Sequence, residues 1–281
     1  MTTHPYAVIG WPLGYSLSPI LHNDFFKQEG IEATYTSVPL TLDELGPWVK
    51  AKACSGFNVT VPHKENILPF MDELSDSARA IGAINTVKNV NGRLHATNTD
   101  SPGFTMMLKE DLSLSMKGLN ILLLGAGGAS RAIVYAAGLE GAKCIYVFDT
   151  DTVKSEALKS HFASLPIELC SPLGGFKGFL PLVDLVINAT PVGMEATVDI
   201  SILSADDLAQ LKPTTPVVDI IYVPAETKLL RLARERGLPT CNGLGMLAGQ
   251  GILAEEFWFG KRLGYHEAKT ILANHITPTG G

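Results

Sequence analysis

The stretch NILLLGAGGASRAIVYAA, residues 120–137, decides the fold of this chain. Its first part, residues 121–124, is a short apolar run, which is typical of a strand that is buried on both faces. Glycines follow without a linker, and from Ala132 onward small and apolar residues recur at helical spacing. A buried strand that turns directly into a helix predicts an α/β fold with a parallel sheet.

The turn between this strand and this helix predicts a phosphate site. It consists of Gly125, Ala126, Gly127, Gly128 and Ala129. The first N–H groups of a helix lack partners within the helix, and the helix dipole favours a negative charge beside them. Gly125 would permit the tight turn, and Gly127 would let a pyrophosphate approach the backbone closely. Ser130 stands where the dinucleotide-binding fingerprint has Gly or Ala, although its small side chain still fits; the alternative is a glycine-rich turn in another α/β protein.

The later strands of the same half end in polar residues. A second strand over residues 143–148 is followed by Asp149, at about the 20-residue separation expected for the acid that holds an adenosine ribose. Two more strands are predicted over residues 185–189 and 217–222, and the polar residues at their ends are Asn188, Thr190 and Tyr222. Strands that alternate with helices predict a doubly wound parallel sheet, whose ligand lies at the carboxyl ends of the strands.

Composition excludes several classes of protein. The 281 residues allow about two domains, and 46% hydrophobic with 18% charged residues is a globular composition. No apolar run reaches the roughly 18 residues of a membrane span, and no signal peptide is recognisable. The net charge of −6 argues against a nucleic-acid partner. The four cysteines are far apart and the seven histidines form no HxxxH pair, so we expect a cytoplasmic protein without a metal site.

The N-terminal half also alternates strands with helices. We expect strands over residues 6–9, 34–38 and 56–61 and a hairpin over residues 86–96 that turns at Asn91 and Gly92. Ser18, followed by Pro19, predicts the N-cap of a helix over residues 20–28. The hydroxyls of Ser16 and Ser18 at this helix start could hold a carboxylate, and the alternative is that Ser18 only caps its helix.

Lys64 is placed against the local electrostatic rule. Residues 56–61 alternate so that Phe57, Val59 and Val61 would share one face, and Pro62 ends the strand and opens a helix. Lys64 then falls in the first helical turn, where a cation is unfavourable by a few tenths of a kcal/mol. Such a conflict is a reason to suspect function, and the alternative is a surface lysine. Asp100, with Asn98 before it, could be no more than a cap and turn residue.

Segments along nearly the whole chain resemble the shikimate dehydrogenase family. The matching segments are YSLSP (15–19), NVTVPHK (58–64), GAINT (82–86), NTD (98–100), GAGGASR (125–131), NATPVG (188–193), DIIYVP (219–224) and GLGMLAGQ (243–250). Each is weak by itself, but their order and spacing together are specific.

The resemblance implies a substrate domain over residues 1–102 and 243–281 and a Rossmann-like cofactor domain over residues 103–242, with the active site in the cleft between them. It implies that Lys64 and Asp100 form the catalytic pair. The substrate contacts that it implies are Ser16, Ser18, Thr60, Asn85, Tyr222 and Gln250. The cofactor contacts that it implies are Gly125, Ala126, Gly127, Gly128, Ala129, Asp149, Asn188, Thr190 and Gly243.

The implied reaction is the reversible hydride transfer between a nicotinamide cofactor and C3 of shikimate or 3-dehydroshikimate, in the pathway to the aromatic amino acids. A lysine can exchange the hydroxyl proton in both directions if its pKa moves toward neutrality. Asp100 would orient Lys64, but its opposite charge would hold the lysine pKa up, so the route of the proton stays open. The oligomeric state is also open, with a homodimer as one option.

One segment departs from the family pattern. NADP-dependent relatives usually follow the second strand with an Asn-Arg-Thr-like segment, whose arginine meets the 2′-phosphate. Here Asp149, Thr150 and Asp151 supply two carboxylates and no arginine, and Lys154 offers only a point charge. The cofactor is therefore NAD or NADP, and our hypothesis is that NAD is preferred.

Three alternatives to shikimate dehydrogenase follow. NAD use is typical of the quinate/shikimate branch, so quinate oxidation is one, although the paired Ser16 and Ser18 favour shikimate. A non-catalytic nucleotide sensor is another, and the presence of both Lys64 and Asp100 argues against it. A folate-linked dehydrogenase with a lysine base is the third, and the serines and residues 243–250 favour a small hydroxylated ring acid instead.

Overall fold

The structure of the protein is a computed structural model that describes residues 4–14, 16–173 and 175–276. Tyr15 of the YSLSP segment and the end of the predicted first domain, residues 277–281, lie outside this range. The chain divides into two compact units. The first contains the residues up to Phe104 together with Leu247–His275, and the second contains Thr105–Met246. Within the described part of the chain, no helix combines the length and the apolar character that a membrane span requires.

Twelve strands are found among the described residues. They are β1 (His4–Gly10), β2 (Ala33–Pro39), β3 (Gly56–Val59), β4 (Glu73–Leu74), β5 (Thr86–Val90), β6 (Arg93–Thr97), β7 (Asn120–Leu124), β8 (Cys144–Phe148), β9 (Ile167–Leu169), β10 (Leu185–Asn188), β11 (Val217–Asp219) and β12 (Thr240–Cys241).

The described residues also form eleven α-helices. They are α1 (Ser18–Gln28), α2 (Leu42–Ala51), α3 (His63–Asn66), α4 (Asp76–Ile81), α5 (Asp100–Leu112), α6 (Gly128–Glu140), α7 (Thr152–His161), α8 (Ala205–Leu208), α9 (Lys228–Glu235), α10 (Leu244–Phe259) and α11 (Tyr265–Ala273). Short 3₁₀ helices cover Leu68–Phe70, Lys177–Leu182 and Glu195–Thr197.

The first unit is built on a mixed sheet with the order β2-β1-β3-β5-β6-β4. β1 pairs in parallel with β2 and β3, whereas β5 is antiparallel to both β3 and β6. The β5–β6 turn has positive φ at Asn91 and Gly92, which is the type I′ geometry that Asn-Gly predicts. One side of the sheet packs under α2 and α4 around Ile9, Phe57, Val59 and Val87, all buried. This packing fixes the carboxyl ends of β1 and β3, where Gly10 and Thr60 lie.

The second unit is built on a six-stranded parallel sheet with the order β12-β11-β10-β7-β8-β9. The two halves of this order run outward from β7 and β10, as in a doubly wound fold. The register aligns the last residues of neighbouring strands, since Leu124 pairs with Phe148 and with Asn188, and Asn188 pairs with Asp219. The loops after these strands therefore begin at one edge of the sheet. The α/β fold with two sheets is confirmed.

Three local predictions were wrong. Ser18 does not cap α1: it is the first helical residue, Leu17 holds the N-cap position, and no side chain caps the helix. Val61 does not share the buried face with Phe57 and Val59, because β3 ends at Val59 and the Val61 side chain is 62% exposed. The strand predicted over residues 217–222 ends at Asp219, whose Oδ1 accepts the N–H of Ile221 at 3.1 Å and turns the chain away from the sheet.

Candidate active site

Lys64 and Asp100 form a largely buried ion pair in the first unit. The Lys64 Nζ donates to Asp100 Oδ2 at 2.5 Å, and the two side chains are 13% and 6% exposed. Lys64 lies in the first turn of α3, after Pro62, and its carbonyl oxygen accepts the N–H of Ile84 at 2.9 Å. Asp100 is the first residue of α5. A cation at a helix start is locally unfavourable, and here a carboxylate contacts that cation directly.

Asn85 holds the other oxygen of Asp100. Its Nδ2 donates to Asp100 Oδ1 at 2.8 Å, to Thr99 Oγ1 at 2.9 Å and, more weakly, to Gln250 Oε1 at 3.3 Å. Its Oδ1 accepts the N–H of Thr99 at 2.7 Å. Asn85, Thr99 and Asp100 are all buried. One amide thus fixes a carboxylate and meets the Gln250 side chain, so this cluster has little freedom to rearrange.

Asn98 orders the backbone before α5. Its Oδ1 accepts the N–H groups of Asp100 at 3.0 Å and Ser101 at 3.3 Å, and its Nδ2 donates to the carbonyl of Ala83 at 2.9 Å. Asn98 therefore does what an N-cap does for α5. Asp100 is not the cap, which leaves its carboxylate available to Lys64 and Asn85.

Two glycines bring α5 and α10 into close contact beside this cluster. A Cβ on Gly103 would lie 2.6 Å from the backbone nitrogen of Gln250, and a Cβ on Gly249 would lie 2.9 Å from the carbonyl oxygen of Gly103. Neither position has room for a side chain. This contact holds Gln250 within hydrogen-bond distance of Asn85, and the Gln250 Nε2 donates to the Leu247 carbonyl at 3.0 Å.

Ser16, Ser18 and Thr60 lie at or just beyond the ends of elements of the same unit. Ser16 Oγ accepts the N–H of Ser18 at 3.3 Å at the start of α1, and Ser18 is buried. The N–H of Thr60 donates to the carbonyl of Ile9 at 2.8 Å directly after β3. Because Ser18 makes no capping bond, the capping alternative for its hydroxyl is wrong.

In the second unit, the glycine turn has the geometry that a phosphate site needs. Gly125 has φ +103°, a conformation that favours glycine, and a Cβ there would lie 3.0–3.1 Å from Ala189 and Thr190. Gly127 is the N-cap of α6, and a Cβ on it would meet nothing within 4 Å. No side chain caps this helix and its first turn carries no acid, so an anion could accept from the N–H groups of Gly128 and Ala129 without competition. The residues present fit a pyrophosphate.

The two carboxylates after β8 are both bonded to backbone. Asp149 accepts the N–H of Ala126 at 2.7 Å and that of Asp151 at 2.8 Å. Asp151 caps α7 through the N–H groups of Val153 and Lys154, and the latter bond is the main reason that its pKa is lowered. The Lys154 Nζ lies 3.5 Å from Asp151 Oδ2 on the surface. Asp149 thus braces the glycine turn, a role beyond the ribose contact predicted for it.

Asn188 and Asp219 form a buried network beneath the loops that follow β10 and β11. Asn188 Nδ2 donates to Asp219 Oδ1 at 3.1 Å, and Asn188 Oδ1 accepts from Thr190 Oγ1 at 2.7 Å. Asp219 Oδ2 accepts from Thr227 Oγ1 at 2.7 Å. Asp219 is fully buried, and this burial raises its pKa to about 6 in spite of its hydrogen bonds. The network fixes Thr190 beside Gly125.

Tyr222 and Gly243 complete the predicted residues of this unit. Tyr222 is half-buried, and burial raises the pKa of its hydroxyl. A Cβ on Gly243 would lie 1.9 Å from the carbonyl oxygen of Ile220, and the Gly243 N–H donates to the Ile221 carbonyl at 2.9 Å. Backbone packing alone therefore requires glycine at residue 243.

Sequence reasoning missed three residues that hold the site in place, namely Gly103, Gly249 and Asp219. Asn98, expected as a turn or cap residue, has that role. A glycine inside a helical pattern, as at Gly103 and Gly249, signals close backbone contact. An Asp at the end of an apolar strand, as at Asp219, signals a side chain that turns the backbone.

Comparison with known proteins returns mainly shikimate dehydrogenases. A sequence model of the shikimate dehydrogenase substrate binding domain matches residues 8–87. The chain is 37% identical to the shikimate dehydrogenase (NADP(+)) of Shouchella clausii over 98% of this chain and 100% of that protein. It is similar to shikimate 5-dehydrogenase of Thermus thermophilus in complex with NADP(H) and shikimate, with a TM-score of 0.86, 34% identity, and 97% and 99% of the two chains covered. It is also similar to the enzyme of Listeria monocytogenes in complex with shikimate and NAD, with a TM-score of 0.85, 33% identity and 96% of each chain covered.

The raised pKa of Asp219 predicts a pH dependence of stability. Because the folded pKa of about 6 lies above the ordinary 3.8, the native state holds this proton more tightly, and the stabilisation present below pH 4 is lost as the pH rises through 6. The difference corresponds to roughly 3 kcal/mol. Asp219→Asn keeps an acceptor for Asn188 and Ile221 and can donate to Thr227. The melting temperature of this variant minus that of the wild type should therefore increase as the pH rises from 4.5 to 7.5.

The matched control is Asp184→Asn. Partial burial acts to raise the pKa of Asp184, but hydrogen bonds from Lys212 and from the N–H of Asn120 outweigh it and lower that pKa. Its removal should therefore change stability by a constant amount over the same pH range. A difference in melting temperature between Asp219→Asn and the wild type that stays constant across that range would contradict the prediction.

Proposed function

Because the chain belongs to the shikimate dehydrogenase family, we propose that it is an oxidoreductase that interconverts shikimate and 3-dehydroshikimate with a nicotinamide dinucleotide. The observation that carries the proposal is the ion pair of Lys64 and Asp100, with Asn85 on the second carboxylate oxygen. It places a proton donor at a largely buried point, next to hydrogen-bonding groups suited to a polyhydroxylated ring. We assign residues up to 102 with residues 243–281 to the substrate domain and residues 103–242 to the cofactor domain.

In this mechanism, Lys64 exchanges the proton of the reacting hydroxyl. The nicotinamide, when bound, supplies or accepts the hydride. Reduction of the ketone leaves an alkoxide at C3, to which the Lys64 ammonium gives its proton, and in the reverse direction the neutral amine takes the hydroxyl proton. Asp100 holds the Nζ at a fixed point, and Asn85 prevents the carboxylate from rotating. Orientation of this kind accounts for much of the rate that a positioned acid contributes.

The substrate would be held mainly by side chains of the first unit. Ser16 and Ser18, at the start of α1, would bind the carboxylate, since two hydroxyls and the helix dipole favour an anion there. Thr60, Asn85 and Gln250 would bind ring hydroxyls, and Asn85 and Gln250 already contact each other. Tyr222, from the second unit, would be a further contact. The relatives do not favour the quinate alternative.

The dinucleotide would lie on the second unit. Its pyrophosphate would accept from the backbone of the turn formed by Gly125, Ala126, Gly127, Gly128 and Ala129. Thr190, whose hydroxyl bonds to Asn188, lies against this turn. The lack of a side chain at Gly243 lets its backbone pack against the carbonyl group of Ile220. Asp149, which bonds to the N–H of Ala126, couples the ribose position to the turn.

For the choice of dinucleotide, the relatives favour NADP and do not support the NAD preference that we expected. NADP appears in the name of the Shouchella clausii enzyme and in the Thermus thermophilus complex, while the Listeria monocytogenes complex contains NAD. In this chain Thr150 offers no cation, and Lys154 lies beside Asp151. We therefore propose that the enzyme uses both dinucleotides, with NADP favoured by a small factor.

The four cysteines are free thiols, which supports the cytoplasmic location that we propose.

A matrix of shikimate and quinate, each with NAD and NADP, tests the proposed reaction. We expect kcat/KM to be about tenfold to a hundredfold higher for shikimate, because the additional hydroxyl of quinate must fit beside the carboxylate site. Higher efficiency on quinate would replace shikimate by quinate as the substrate. Turnover of neither compound with either dinucleotide would refute the proposed function.

Replacing Lys64 tests the assignment of the proton donor. Lys64→Met keeps most of the length of the side chain and removes the amino group that exchanges the proton. The kcat for shikimate oxidation should therefore fall by about 10² to 10⁴, with a small change in dinucleotide KM. Lys88→Met is the matched control, since Lys88 is a half-buried lysine of the same unit that donates to the Phe257 carbonyl at 3.3 Å. A kcat of Lys64→Met close to that of Lys88→Met would contradict the assignment.

Adding an arginine after β8 tests where the 2′-phosphate would lie. Thr150→Arg should raise the ratio of kcat/KM for NADP to that for NAD by about tenfold or more, because a guanidinium can bind a phosphate through two charge-assisted hydrogen bonds. Thr214→Arg adds the same charge before β11, at the opposite edge of the sheet, and should leave the ratio unchanged. An unchanged ratio for Thr150→Arg would place the phosphate elsewhere.

A further inference from the structure

His22 and Glu255 form a buried hydrogen-bonded pair outside the site described above. His22 Nδ1 lies 3.1 Å from Glu255 Oε1, and both side chains have no exposure to solvent. His22 lies in α1 and Glu255 in α10, so the pair joins two helices that are distant in sequence. Burying a carboxylate is costly unless a hydrogen-bonding partner accompanies it, and His22 is that partner here.

The surroundings of the pair indicate which ring nitrogen of His22 carries the proton. The second oxygen of Glu255 accepts the N–H of Leu263 at 3.4 Å, while His22 Nε2 has no hydrogen-bond partner among the described residues. A proton on Nδ1 therefore satisfies the structure best, since it donates to Glu255 and leaves only a lone pair unmatched on Nε2. The imidazole is packed between the rings of Tyr35, at 4.5 Å, and Trp258, at 5.2 Å. These ring contacts restrict the movement of the imidazole beside Glu255.

The same faces of α1 and α10 are packed without a gap. A Cβ on Gly251 would lie 2.5 Å from Leu21 Cδ2 and 3.7 Å from His22 Cε1. Glu255 follows Gly251 by one helical turn, so the two residues share one face of α10. Leu21 packs over Gly251, and His22 bonds to Glu255. Together these two contacts prevent α1 from sliding along α10.

Both helices carry substrate contacts of the proposed site close to this pair. Ser18 precedes His22 by four residues and lies on the same face of α1. Gln250 directly precedes Gly251 in α10 and contacts Asn85. A shift between the two helices would therefore change the distance between the carboxylate site and the ring-hydroxyl site.

We propose that His22 and Glu255 are positioning residues: their bond sets the place of the Ser16 and Ser18 hydroxyls relative to the Gln250 amide. The inference rests on the proposed function, because it takes those side chains as the substrate contacts. It concerns the binding of the ring acid, and the glycine turn that would bind the dinucleotide belongs to the other unit.

Kinetics of two His22 variants test the proposal. His22→Leu has a similar volume and no donor, so the shikimate KM should rise about tenfold while the dinucleotide KM stays at the wild-type value. His22→Asn retains a donor close to the position of Nδ1 and should restore the shikimate KM to within about threefold of the wild type. A role in stability alone predicts no such rescue and no such separation of the two KM values.

Two further variants keep the test decisive. If His22→Leu leaves Glu255 unpaired and does not fold, the double variant His22→Leu, Glu255→Leu removes the charge together with the bond and should fold with the same raised shikimate KM. Leu45→Ala, on the buried face of α2, is the control for destabilisation and should lower the melting temperature without changing either KM.

The outcomes separate the inference from the proposed function. Normal wild-type turnover of shikimate with an unchanged shikimate KM in the leucine variants would refute the inference alone. An equal rise of both KM values would also refute it, since the effect would then be general. Absence of shikimate turnover by the wild-type protein would refute the proposed function and the inference with it.

Discussion

The first unit depends on one constraint: a carboxylate and an ammonium are held together with little water, and every other polar atom around them must find a partner. Asp100 meets Lys64 with one oxygen and Asn85 with the other, and Asn85 in turn binds Thr99 and reaches Gln250. Because a partly satisfied buried network is less stable than an apolar core, each of these residue types is required by its neighbours. The catalytic geometry that we propose thus follows from the hydrogen bonds that hold both carboxylate oxygens of Asp100.

The edges at which both sheets present their loops are built by a repeated device. At the last residue of β10 and β11, and directly after β6, β8 and β12, an Asn or Asp side chain accepts the N–H of the residue two positions later. These residues are Asn98, Asp149, Asn188, Asp219 and Asn242. Such a turn stops the strand and directs the chain away from the sheet within two residues. Ligand contacts can then begin immediately after the strand, at an edge that the sheet itself keeps rigid.

This device also explains which parts of the structure the sequence could predict. The strand, glycine turn and helix of residues 120–137 are local patterns, and they predicted the second sheet correctly. Residues 217–222 looked like one strand because the apolar pattern continues past Asp219. The buried Asp219 side chain, however, accepts the N–H of Ile221, which a longer strand would need for pairing. Ser18 matched the pattern of an N-cap, yet α1 begins at Ser18 itself and has no side-chain cap. The partners of Asn85, Asp100 and Gly243 come from distant segments, so these contacts could not be predicted from spacing or composition.

The acid after β8 shows why residue type alone did not decide the cofactor. Asp149 was interpreted only as a ribose ligand that would repel a phosphate, but its carboxylate accepts the N–H of Ala126 and so braces the glycine turn. Asp151 likewise caps α7. Carboxylates that already bond to backbone N–H groups repel an approaching anion less than free ones, because those donors offset part of their charge. The loop after β8 is therefore compatible with the NADP of the relatives, although it carries no arginine.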